Sequence, residues 1–122
     1  MLYIQNAEVK TINVAPGVVQ RPLVGAHTGA EEIFMGELEI AVGARVPWHY
    51  HTMEDVILVR EGKGYVECNP GGKFEVEGGK TSVVVPPNLH HQVVNTGDVP
   101  IKIIFGFPRG EIDRIVVEEE YK

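Results

Sequence analysis

Gly43-Ala44-Arg45-Val46-Pro47-Trp48-His49-Tyr50-His51-Thr52-Met53-Glu54-Asp55-Val56-Ile57-Leu58-Val59-Arg60-Glu61-Gly62 is the stretch that decides the fold. In a strand, residues two apart share a face, so His49 and His51 project together. Asp55 keeps the same parity after a short connection, and Ile57 and Val59 continue that face as an apolar wall. Val56, Leu58 and Arg60 fall on the opposite side. The stretch therefore reads as two strands that turn three metal-competent donors toward one interior. Imidazole nitrogens with a carboxylate suit Fe, Mn, Ni, Co, Cu or Zn, whereas Ca and Mg prefer oxygen shells.

The rest of the chain is punctuated in the same way. Fourteen glycines and eight prolines separate short runs rich in Val, Ile, Phe and Tyr, and no stretch keeps a helical period. Strands are predicted at Leu2–Gln5, Val18–Pro22, Ile33–Val42, Val46–His51, Val56–Glu61, Gly64–Cys68, Lys73–Glu77, Ser82–Val85, His91–Asn95 and Ile101–Phe107. Asn69-Pro70-Gly71-Gly72 is a turn joining two of them into a hairpin. Glu118-Glu119-Glu120 reads as a solvated end. Many short antiparallel strands must close or stack to hide their edges, which gives an all-β barrel or jelly roll.

Length and charge bound the function. At 122 residues the chain is expected to form a single domain, 1–122, with one core. A net charge of −6 without a basic run argues against a nucleic-acid partner. The start, Met1-Leu2-Tyr3-Ile4-Gln5, carries no secretory pattern, and no run of apolar residues is long enough for a membrane helix, so a cytoplasmic protein is expected. The single cysteine, Cys68, has no internal disulfide partner and reads as a small apolar strand residue.

Four of the five histidines, His49, His51, His90 and His91, fall into two short segments. The residues 43–62 resemble the first motif of the cupin family: Gly, five residues, His-x-His, three or four residues, an acid, six residues, Gly. Asp55 stands where that family usually has Glu, one methylene longer. Pro86-Pro87-Asn88-Leu89-His90-His91-Gln92-Val93-Val94-Asn95 resembles the second motif, Pro-x-Gly-x-x-His-x-x-x-Asn, with Asn88 in place of Gly. Asn also tolerates positive φ. Gly79, one position off the opening glycine, suggests a local insertion, so this motif covers 79–95. Only one register fits, and it makes His91 the ligand and leaves His90 outside. The resemblance implies a cupin-type double-stranded β-helix, or jelly-roll barrel, in one domain, frequently a homodimer. It also implies one divalent transition-metal ion per chain held by His49, His51, Asp55 and His91.

Candidate catalytic groups are Glu54 and His90, as acid or base at the mouth of the barrel; their alternative readings are a solvated loop acid and an outward-facing histidine. Arg45 and Arg21 are candidates for gripping a substrate carboxylate with two parallel bonds, although exposed arginines are common. Trp48 and Tyr50 have the opposite parity to His49 and His51 and are expected to face away. The expected function is an enzyme of isomerase, lyase or dioxygenase type acting on a small organic molecule. One alternative is a non-catalytic metal-containing module binding a small molecule or sugar acid. Another is a metal-free, epimerase-like member, disfavoured by the outward parity of Tyr50.

Overall fold

The computed structural model describes all 122 residues and contains eleven strands and no α-helix. The strands are β1 (Ile12–Ala15), β2 (Val18–Val24), β3 (Phe34–Ile40), β4 (Arg45–Tyr50), β5 (Asp55–Glu61), β6 (Lys63–Asn69), β7 (Gly72–Glu77), β8 (Ser82–Val85), β9 (His90–Asn95), β10 (Ile101–Phe107) and β11 (Ile115–Val116). They form two antiparallel sheets, ordered β1-β2-β3-β10-β5-β8 and β11-β4-β9-β6-β7. From β3 onward the chain crosses between the sheets at every connection except the β6–β7 hairpin, which is jelly-roll topology.

Alternation along the strands makes the core. On β5, Ile57 and Val59 are buried while Val56 and Leu58 are exposed, as the sequence pattern requires. Leu38 and Ile40 of β3 and Ile101, Ile103, Phe105 and Phe107 of β10 meet Val66, Val76 and Val93 from the facing sheet in one cluster. Each fully buried aliphatic or aromatic side chain contributes about 1.5–3 kcal/mol. The turn 69–72 closes the β6–β7 hairpin, where Cys68 pairs with Gly72.

The glycines bracketing the first motif are conformationally required. Gly43 and Gly62 have φ of 77° and 84°, and a Cβ at Gly62 would lie 2.6 Å from the Pro100 carbonyl. Asn88 does adopt φ 67°, and its N–H donates to the His51 carbonyl at 2.7 Å. Asn95 ties the sheets together. Its side-chain amide donates to the carbonyls of Ile40, Ala41 and Val99, and its Oδ1 accepts from Gly97 N–H at 2.9 Å.

Two expectations are corrected. Leu2–Gln5 is not a strand and joins neither sheet; the edge beside β2 is taken by β1. The segment after β10 supplies β11 to the chain's own sheet, pairing Ile115 with Tyr50 and Val116 with His49. Glu118 is not simply solvated: it pairs with Arg45 and accepts from Trp48 N–H at 2.8 Å. Trp48 stacks on Tyr121 with centroids 3.9 Å apart, so the tail is clamped to β4.

Asn95→Ala is expected to cost about 2–4 kcal/mol, because it strips donors from buried carbonyls on both sides of the sandwich. A denaturant midpoint shifted by less than about 0.5 kcal/mol equivalent would contradict the clamp.

Candidate metal centre

A break in alternation builds the site. Arg45 and Val46 of β4 pair with Val94 and Val93 of β9, but the next pair is His49 with His91. Pro47 and Trp48 thus oppose Gln92 alone, a β-bulge that re-aims the strand. Val46 and His49, three residues apart, then face the same cavity. Pro47 suits a position where one ladder N–H is dispensable.

His49, His51 and His91 are each at most 3% exposed, and one ligand atom from each lies within 4.8 Å of the others. Each ring's Nδ1 meets a backbone carbonyl: Pro47 O for His49 at 2.6 Å, Leu89 O for His91 at 2.8 Å, and Asp113 O for His51. A carbonyl only accepts, so Nδ1 carries the proton in all three rings and each Nε2 keeps its lone pair. His91 Nε2 is buried with no partner. That is the arrangement by which metal-ligating imidazoles are oriented. Burial lowers all three histidine pKa values, that of His91 to about 4, so the donors are neutral at physiological pH. A buried cluster of this kind suggests a metal ion.

Asp55 stands beside the trio but outside its compact group. Its Oδ2 lies 3.8 Å from His51 Nε2, and its Oδ1 is buried without a partner. Burial raises its pKa from 3.8 to about 7, with the Arg114 charge opposing that shift. The shorter side chain, a departure visible in the sequence, explains the setback. The cavity encloses about 30 Å³, room for roughly two water-sized groups. Its walls are apolar, including Val46, Ile57, Val93, Ile103, Phe105 and Phe107.

The other candidates stand elsewhere. Glu54 is exposed, bordering an outer-face groove with Met35, Val56, Leu58 and Val84. His90 faces outward, its ring stacked on Tyr50 and its Nδ1 2.9 Å from the Tyr121 hydroxyl. Arg45 is engaged by Glu118, and Arg21 lies on the outer sheet face among Glu37, Glu39 and Glu61. The group that sequence reasoning missed is Arg114, which lines the cavity with the histidines. It arrives on the segment after β10, held by Asp113, whose carboxylate accepts from Thr52 N–H and Oγ–H. Nothing local in Asp113-Arg114 signals this, because its partners are about sixty or more residues away.

Comparison with known proteins agrees with this geometry. The family described as "Cupin domain" matches residues 36–107. Tetracenomycin polyketide synthase protein TcmJ of Streptomyces glaucescens is 30% identical, over 92% of this chain and 80% of that protein. An uncharacterized protein of Methanocaldococcus jannaschii is 35% identical over 71 residues, where this chain spans only 55% of its relative's length. Among solved structures, the polyketide cyclase RemF from Streptomyces resistomycificus superposes with a TM-score of 0.79 at 24% identity, covering 96% of this chain and 85% of that one.

The pKa shifts set opposing pH dependences in metal-free protein. The depressed histidines contribute stability that is present above their ordinary 6.5 and lost as pH falls toward about 4. The raised Asp55 contributes stability that is present below 3.8 and lost as pH rises through about 7. After chelation, Asp55→Asn is therefore expected to be more stable than wild type at pH 8, where no carboxylate need be buried. Equal melting temperatures at pH 8 would contradict this account of Asp55.

Proposed function

The chain belongs to the cupin family, and we propose that it is a metal-dependent enzyme acting on a small organic molecule. One divalent transition-metal ion per chain is held by His49, His51 and His91, and Asp55 holds and moves the proton. One observation carries the reading: three buried imidazoles each spend Nδ1–H on a carbonyl and leave Nε2 free in one cavity. Three neutral nitrogen donors suit a first-row transition metal.

When bound, such an ion polarises a substrate oxygen as a Lewis acid, or with Fe(II) supports dioxygen chemistry. The chain's own residues do the rest. The apolar walls exclude water and strengthen electrostatic interactions within the cavity. Glu54 and His90 lie outside, so the acid–base role expected of them passes to Asp55. Its carboxyl, poised at about 7, matches what a general base needs at neutral pH.

A carboxyl able to take up a proton in an apolar cavity suits proton abstraction next to a carbonyl, the step shared by isomerases, some lyases and carbonyl cyclisations. The similarity to a polyketide synthase protein and to a polyketide cyclase supports the same class. The small cavity admits only the reacting end of a larger substrate.

Purified protein is expected to carry close to one transition-metal ion per chain by elemental analysis, and His51→Ala to carry none. Metal content unchanged by that substitution would overturn the site. Asp55→Asn is expected to keep its ion while losing turnover about 100-fold or more on a panel of small keto- and hydroxy-compounds. Loss of the ion in Asp55→Asn would instead make Asp55 a ligand and remove its proton role.

A further inference from the structure

We propose that Arg114 is the substrate-recognition residue of this cavity, and that the substrate presents a carboxylate to it. The inference rests on the reading of the histidine cavity as the substrate site and names the chemical class that enters it.

Arg114 makes a single side-chain hydrogen bond, from Nη2 to Gln20 Oε1 at 3.2 Å. Gln20, on β2, is only 4% exposed, so the guanidinium is anchored from the opposite sheet. Its Nε is buried and has no partner. No carboxylate lies within 4.0 Å of it: the chain's ion pairs engage other residues. Asp113 next to it is turned toward Thr52. Asp55 acts on it through space without contact.

A guanidinium cannot shed its proton, and it carries five donors in a planar fork. The guanidinium is half-buried, its Nε is buried without a partner and only Nη2 is engaged, and a donor shut away from water in this way is costly unless an acceptor meets it. The two coplanar oxygens of a carboxylate match the fork. With a divalent ion on the histidines, the cavity stays net positive even when Asp55 is ionised. Arg45 and Arg21, the sequence candidates for this role, are turned to Glu118 and to the outer face. Arg114 alone among the arginines lines the histidine cavity.

The test is calorimetric titration of glycolate, and of its neutral isostere glycolamide, into the protein as purified and after loading with Co(II), with visible absorption of the cobalt as a second readout. Wild type is expected to bind glycolate at least about tenfold more tightly than glycolamide, as one charge-assisted pair implies. Arg114→Gln is expected to lose most of that preference while keeping its metal content, and Arg114→Lys to retain more of it. Equal binding of the two probes by wild type would overturn the proposal without any variant. An undiminished preference in Arg114→Gln would overturn it as well. An Arg114-dependent preference in protein that takes up no cobalt would sustain the carboxylate assignment and refute the metal centre instead.

Discussion

Three backbone carbonyls, those of Pro47, Leu89 and Asp113, hold the centre of this molecule. Each accepts the Nδ1–H of a buried histidine, and together they fix one tautomer and one direction for all three rings. Without them, three imidazoles in a dry cavity would be free to turn, and their lone pairs would have no common focus. Burial adds the second condition by keeping the rings unprotonated and mutually tolerable. Orientation and charge state are therefore set by the fold before any ligand enters.

The carbonyls come from different parts of the structure, and this is why the fold and the site cannot be separated. Pro47 belongs to the bulge that turns β4 inward, and Leu89 precedes β9 beyond the positive-φ turn at Asn88. Asp113 belongs to the segment after β10 that crosses back to β4. Its carbonyl orients His51, its carboxylate ties down Thr52, and its neighbour Arg114 enters the cavity. The chain then adds β11 to β4 and clamps its tail through Glu118 and the stacking of Tyr121 on Trp48. The orientation of His51, the placement of the cavity's cation and the end of the sheet thus share one short segment.

What was legible in the sequence was whatever depends on local period and spacing. Ile57 and Val59 against Val56 and Leu58 announced which face of β5 is buried, and the His-x-His pair with His91 announced the donors. The brackets Gly43 and Gly62 were legible because positive φ leaves few residue choices. Long-range arrangements were not legible. β1 is four residues long with a polar Asn13 inside it, and Leu2–Gln5 has strand-like composition without a partner. Alternation gave no warning of the bulge at Pro47-Trp48, and a side chain one methylene shorter in the motif did not say how far Asp55 would be set back. Arg114 was invisible because its role comes from Gln20 and the histidines, brought to it only by the closing of the sandwich.

The central claim is that the Nε2 atoms of His49, His51 and His91 converge on one ion, with Asp55 next to them rather than among them. X-ray absorption at the metal edge of the loaded protein tests it most directly. The account predicts scattering from three imidazole rings, with a first shell that keeps all three in Asp55→Asn. A first shell of oxygens, or one that loses a carboxylate donor when Asp55 is replaced, would contradict it.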